Sequence, residues 1–239
     1  MAQEEIWEKE YKNPKLITNS NQPQLDFKHF IKWLRKSQHV DLNGLRVLDL
    51  GSGTGKNSIF LAERGSNVVG IELSSTAVRL ADERAGASGV NASFTKGDIG
   101  TTLPYPNASF DLIIDVVSSN SLSESERGTY LKEISRVLQP GGYVFVKALC
   151  KDDDKNAQNL IEKFPGEEKD TYIMPRTGIV ERVWSREDIT NFYCGFEFLY
   201  FERKSSYTIF EGKPFKRNFW LLYLKHIMFV NSHNIEIVL

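Results

Sequence analysis

Cysteine is nearly absent: among 239 residues there are two, Cys150 and Cys194, at a separation that forms neither a metal-ligand spacing nor a disulfide framework. That excludes a zinc-stapled or disulfide-scaffolded fold. Histidine is scarce too, and His29, His39, His226 and His233 stand apart from the motifs described below, so none receives a role. No apolar run reaches the length of a bilayer span, and the opening Met-Ala-Gln-Glu-Glu-Ile-Trp-Glu lacks the basic and apolar segments of a secretory signal. The chain is expected in the cytoplasm. Charge of one sign is also missing, because 30 Lys and Arg face 31 Asp and Glu for a net charge of −1, leaving no global field to gather nucleic acid. There is no internal repeat and no low-complexity tract.

What is present is an alternation. Leu25, Phe27, Phe30, Ile31 and Leu34 recur at helical spacing after Asn21-Gln22-Pro23, and predict a helix within a lead-in spanning 1–44. A β-rich run at Arg46 to Leu50 then leads through glycines into helical residues Ser58 to Arg64. The pattern repeats as a strand over Asn67 to Glu72 and a helix over Thr76 to Ala85, capped by Ser74 or Ser75 and followed by Gly86. Further strands are predicted at Ala92 to Lys96, Phe110 to Val116 and Tyr143 to Leu149, with a helix from Ser125 to Leu138 that Pro140-Gly141-Gly142 terminates. Strands alternating with helices predict a Rossmann-like, doubly wound α/β sheet, mostly parallel. Beyond a core at 45–150 come a charged insertion at 151–185 and a final segment, 186–239. That last segment reads as a helix near Arg186 to Phe192 and an antiparallel hairpin of Phe196 to Arg203 with Phe219 to His226. The whole is read as one elaborated domain.

The chemistry concentrates where the first strand ends. Val47-Leu48-Asp49-Leu50-Gly51-Ser52-Gly53-Thr54-Gly55 is an apolar strand entering three alternate glycines, which allow a sharp turn and close approach of a ligand to the backbone. A P-loop is excluded, since Leu50 stands where its first glycine is needed and Asn57 where Ser or Thr must follow Lys56. A dinucleotide fingerprint needs Gly or Ala at the position of Lys56. Glu72 closes the second strand about twenty residues beyond the loop, where a carboxylate can accept both ribose hydroxyls. Asp98, after the third strand in Lys96-Gly97-Asp98-Ile99, could take an adenine amino group. With Asp49, three carboxylates share one sheet edge.

These motifs in order resemble the class I S-adenosylmethionine-dependent methyltransferases over residues 45 to 150: Asp49 to Gly55, Glu72, Gly97-Asp98, Phe110-Asp111-Leu112-Ile113-Ile114-Asp115, and Arg136-Val137-Leu138-Gln139-Pro140-Gly141-Gly142. The resemblance implies S-adenosylmethionine as cofactor. It places the methionine end at Asp49, Gly51, Ser52, Gly53, Gly55 and Asn57, the ribose at Glu72 with Leu73, and adenine at Asp98 and Ile99. Asp115 and Val116 would lie beside the cofactor. Trp7 and Tyr11, at helical spacing in the lead-in, look similar to the segment with which small-molecule methyltransferases cover it, so Tyr11 joins the expected site.

Other features narrow the chemistry without naming an acceptor. After the fourth strand stands Asp115-Val116-Val117-Ser118-Ser119-Asn120-Ser121, not the Asp or Asn with Pro-Pro and an aromatic of families that methylate base or glutamine amides. Cys150 lacks the Pro-Cys companion of the pyrimidine-carbon enzymes and reads as a packed thiol. Asp152-Asp153-Asp154 makes an incomplete metal set with Asp115, and no metal is expected. The insertion, with Tyr172, Met174, Arg176, Arg182 and Trp184 in its second half, is expected to act as a lid. The expected activity is methyl transfer to an acceptor, as a small molecule. A protein or RNA acceptor reached through the basic tip Tyr207 to Arg217, and a non-catalytic cofactor-binding protein, stay open.

Overall fold

The computed structural model describes residues 3–14, 22–210 and 213–227. Seven strands form one sheet in the order β3-β2-β1-β4-β5-β9-β8: β1 Arg46–Leu50, β2 Asn67–Glu72, β3 Ala92–Lys96, β4 Phe110–Val116, β5 Leu138–Leu149, β8 Phe196–Phe210 and β9 Lys213–His226. The first five run parallel; β9 pairs antiparallel with β5 and with β8. This is the expected Rossmann-like sheet with a C-terminal antiparallel hairpin. Strand order reverses between β1 and β4, which opens a crevice at their carboxyl ends.

The sheet is buried on both faces, so its central strands are apolar at successive positions instead of alternating with polar ones. Val47, Leu112, Ile114 and Phe145 pack on one face against Phe27, Phe30, Ile31 and Leu34 of α2 (Leu25–Ser37). Leu48, Ile113, Val144 and Val146 pack on the other against Tyr130, Ile134 and Val137 of α5 (Glu124–Val137) and Ile189 of α7 (Arg186–Phe192). α1 (Glu4–Lys12) precedes α2, and α3 (Lys56–Ala62) and α4 (Ser75–Ser88) complete the crossovers. Ser123 and Glu126 form a reciprocal capping box at the start of α5, satisfying two backbone donors that helix geometry leaves free.

Three boundaries differ from expectation. α4 runs past Gly86 to Ser88 and ends on Gly89 in the left-handed conformation, because its buried stripe Ala77, Ala81, Ala85 outweighs one interior glycine. Pro140-Gly141-Gly142 does not follow the helix end: α5 stops at Val137 and β5 begins at Leu138, with a register shift opposite Phe110 and Leu112. The hairpin strands are longer than predicted, since Tyr207 pairs with Lys216 and Ser206 with Arg217. Arg217 is buried against Asp154, so the basic tip Tyr207 to Arg217 is in part a paired ribbon.

The insertion carries its own structure. α6 (Lys155–Lys163) is capped by Asp154, and β6 (Thr171–Ile173) pairs antiparallel with β7 (Val180–Arg182). Leu149, Ala157, Tyr172, Met174, Ile179 and Val183 make a separate small core. Its acidic run is engaged internally: Asp152 accepts from the Arg186 backbone, Asp153 pairs with Arg203, and Asp154 accepts from Ala157 N, Asn218 N and Arg217. Among the described residues, no group of three His, Cys, Asp or Glu could hold a metal ion, and no helix is long and apolar enough to cross a membrane. Asn21 and His233 lie outside the described residues.

Candidate active site

The loops after β1, β2, β3 and β4 surround a cavity of about 630 Å³, with a recess of about 170 Å³ beside it against the glycine loop. The cavity wall includes Tyr11, Gly51, Glu72, Leu73, Asp98, Ile99 and Val116. The recess adds Asp49, Ser52, Gly53 and Asn57. Most of the expected site residues therefore meet at one place.

The glycine loop needs its glycines for positive φ and for space. Gly53 has φ 56°, and a Cβ there would stand 2.7 Å from the Tyr11 hydroxyl oxygen, nearer than real side chains approach. A Cβ on Gly51 would collide with the Ser118 hydroxyl. Gly51 N and Ser52 N donate to Ile71 O at 2.8 and 3.0 Å, which lashes the turn to β2. Gly53 N donates to Glu72 Oε2 at 3.0 Å, and Ser74 N donates to Glu72 Oε1 at 2.8 Å. Glu72 is thus oriented from two sides, while burial raises its pKa against those hydrogen bonds.

Asp49 receives the Ser58 hydroxyl at 2.6 Å, and burial, with Asp115 and Glu72 nearby, pushes its carboxyl up to about 7 in spite of that bond. A carboxyl held half-protonated near neutrality stands ready for a cationic partner. Ser52 lines the same recess, and its Oγ, packed toward Gly70, is buried with no hydrogen-bond partner among the described residues, which is uncommon for a buried hydroxyl. Asp98 accepts from Gly100 N through Oδ1 at 2.8 Å. Tyr11 lies beside Trp7 with the rings tilted and their centres 6.3 Å apart, and burial with nearby Glu72, Asp49 and Glu10 raises its hydroxyl well above the usual range.

Two expected residues do not line the site. Asp115 is wholly buried, accepting from Ser118 N at 2.9 Å, Ser119 N at 3.3 Å and the Tyr130 hydroxyl at 2.8 Å. Its carboxylate holds the turn after β4 in shape and is absent from the cavity wall; Val116 and Val117 stand there instead. Val117 takes φ 64°, strained for a β-branched residue and of the kind that gathers at functional sites. Gly55 caps α3, and a Cβ on it would meet the Phe94 ring at 2.7 Å, which is a packing requirement.

Trp7 stands in the wall beside Tyr11, as their helical spacing suggests, and the insertion contributes to it. Ser118, Ser121, Leu122 and Ser123 follow β4 directly, and the strand-end rule alone could have found them. Gln3 and Gln24, and the particular insertion residues Glu168, Thr171, Ile173, Val180 and Glu181, come from segments far away in sequence, and no local signal points to them. Gln3 ties two of these walls together: its amide Nε2 donates to Ser121 O and Val180 O, and its Oε1 accepts from Val180 N at 2.8 Å.

Comparison with known proteins agrees with this geometry. Residues 47–142 match a methyltransferase-domain family. The demethylmenaquinone methyltransferase of Thermus thermophilus is 32% identical over 126 residues, covering 51% of this chain and 56% of that protein. The phthiotriol/phenolphthiotriol dimycocerosates methyltransferase 1 of Mycobacterium ulcerans is 32% identical over 127 residues, or 52% and 44%. The chain spans about half the length of these curated relatives. A crystal structure of a S-adenosylmethionine-dependent methyltransferase from Methanosarcina mazei superposes with a TM-score of 0.70 at 25% identity, over 80% of this chain and 96% of that one. Residues 47–142 thus form a methyltransferase domain, and the fold around them is that of the class I S-adenosylmethionine-dependent methyltransferases, whose cofactor is S-adenosylmethionine.

Proposed function

We propose that this protein is an enzyme that transfers a methyl group from S-adenosylmethionine to a small molecule admitted to the 630 Å³ cavity. The observation that carries the reading is the continuity of that cavity with the carboxylate-lined glycine loop: one space is lined both by Glu72, Asp98 and Ile99 and by the apolar side chains of Trp7, Val117, Leu122 and Ile173. The residues present fit the cofactor. Glu72 would accept both ribose hydroxyls on its outward lone pairs, Asp98 Oδ2 the adenine amino group, and Asp49 with Ser52 the ammonium of the methionine end. When bound, S-adenosylmethionine supplies a methyl carbon already activated by a sulfonium.

The protein's own contribution is alignment and exclusion of water, because displacement at such a carbon needs an in-line nucleophile more than it needs a catalytic triad. Tyr11 and Trp7 cover the glycine loop, and the turn Ser118 to Ser123 supplies polar atoms to orient the acceptor. Ser121 Oγ, buried and without a partner, is one of them. The size of the cavity and its enclosure by α1 and the insertion favour a small acceptor over a protein or RNA group. Calorimetric titration tests this: S-adenosylmethionine should bind, and Glu72→Ala should weaken it by about 1.5 to 3 kcal/mol through loss of a charge-assisted hydrogen bond. Protein that binds NAD or ATP but ignores S-adenosylmethionine would sink the proposal.

A further inference from the structure

The acceptor end of the cavity carries carboxylates but no lysine, arginine or histidine among the described residues of its wall. Four stand there besides Glu72 and Asp98; Glu167 is exposed to solvent, and two others are already answered. Glu126 accepts from the Ser123 backbone and hydroxyl. Glu168 forms an ion pair with the buried Arg127 at 2.6 Å and accepts from Glu124 N. Glu181 differs, because its direct partner is a neutral hydroxyl: Tyr172 Oη donates to Glu181 Oε2 at 2.6 Å.

That hydroxyl is itself fixed from behind. Arg217 Nη1 donates to Tyr172 Oη at 2.9 Å, and Arg217 Nε donates to Asp154 Oδ2 at 3.2 Å. Tyr172, Arg217 and Asp154 are all buried. A chain of three side chains from two distant segments therefore sets the direction of one carboxylate that reaches the cavity. Arg217 pairs directly with Asp154 and acts on Glu181 only across Tyr172 Oη, so Glu181 has no direct cationic partner among the described residues. An oriented carboxylate in a partly desolvated wall favours a cation and repels an anion.

We propose that Glu181 is the acceptor-recognition residue and that the acceptor is an amine with an apolar body, entering as its ammonium. This rests on the methyltransferase reading and adds the substrate class. The ammonium donates a hydrogen bond to Glu181, and the apolar body lies among Trp7, Leu122, Ile173 and Val180. An ammonium has no lone pair to offer. With one proton passed to Glu181, the freed nitrogen pair would bond the methyl carbon as its bond to sulfur breaks, giving a methylated ammonium and S-adenosylhomocysteine, and Glu181 would return its proton to solvent. Tyr172 is a positioning residue in this scheme, acting through Glu181. Carboxylate, phosphate and other oxyanion acceptors are disfavoured, since nothing charged on the described wall would pair with them.

The test uses protein saturated with S-adenosylhomocysteine and three probes of one skeleton: phenethylamine, phenethyl alcohol and phenylacetate. Calorimetry should show the amine binding about tenfold or more tighter than the alcohol, and phenylacetate not binding. Glu181→Gln keeps an acceptor oxygen for Tyr172, and should abolish the preference for the amine while leaving S-adenosylhomocysteine affinity unchanged. Tyr172→Phe removes the tether but not the charge, and should reduce the preference part of the way. The ranking of the three probes on wild-type protein stands even where a variant fails to fold. Equal binding of amine and alcohol, tight binding of phenylacetate, no binding of any probe, or a preference that survives Glu181→Gln would overturn the proposal. Failure to bind S-adenosylhomocysteine at all would instead remove the methyltransferase reading beneath it.

Discussion

Two segments wall the same cavity, α1 and the insertion at 151–185, and they are held by different forces. α1 buries little: Glu10 is its one fully buried residue, Ile6 and Trp7 rest half-buried on the edge of the insertion's core, and its other attachments are polar. Glu8 accepts from Ser74 Oγ and Thr76 N through Oε2 and from Thr76 Oγ1 through Oε1, capping α4 from outside. Glu4 pairs with Lys96, and Gln3 bonds to the backbone at Ser121 and Val180. The insertion instead has a small apolar core and an ion pair, Arg217 with Asp154, almost wholly removed from water. A cover held by hydrogen bonds at its rim can open without exposing much apolar surface; one held by a core opens only by unfolding that core. The long charged segment expected to close over the ligand has the more fixed construction of the two, and the short lead-in has the looser one.

The comparison is sharpened first by the largest effect. Arg217→Leu leaves Asp154 buried and uncompensated, and should destabilise by about 3 to 5 kcal/mol, read as a lowered melting temperature with early proteolysis within 151–185. A loss below about 1 kcal/mol would place the insertion in the same loosely held class as α1. Glu8→Gln should cost less, about 1 kcal/mol, because Glu8 is partly solvated and screened, yet it should speed cleavage within α1 and release of S-adenosylhomocysteine. Unaltered release would mean α1 is not the gate.

The same contacts predict a pH signature. Hydrogen bonds from Ser74 and Thr76 lower Glu8 to about 2 from an ordinary 4.5. Its contribution is complete above about 4.5 and is lost as pH falls through 2, so α1 should loosen in that window, read by Trp7 fluorescence, before the core melts. The smallest effect concerns the ligand floor that both segments cover. Asp49, raised from 3.8 to about 7, binds a proton in the folded protein that the unfolded chain gives up. Free-protein stability should therefore fall as pH rises from 3.8 to 7. Affinity for the cationic cofactor should rise over the upper part of that range, as the carboxyl ionises. Asp49→Asn should melt higher than wild type at pH 8 and lose both dependences; a calorimetric affinity that is flat with pH in the wild type would contradict this.

The sequence by itself determined the parallel core and its ligand edge, because those features rest on local chemistry. Apolar strands, the Gly51-Ser52-Gly53 turn, Glu72 and Asp98 are each legible from neighbours in the chain, and strand ends in a doubly wound sheet must converge. It could not reveal that Asp115 turns inward to Tyr130, since a strand-end carboxylate reads alike whether it faces a ligand or a buried hydroxyl. Nor could it show that Gln3, Trp7 and Glu181 share a wall, or that Arg217 leaves the exposed tip to hold Tyr172. The last two depend on contacts between residues more than forty positions apart, settled when two segments without local affinity pack on the same sheet edge and their buried polar groups must find partners. The glycine-loop side of the cavity was written along the chain; its other walls were decided only in three dimensions.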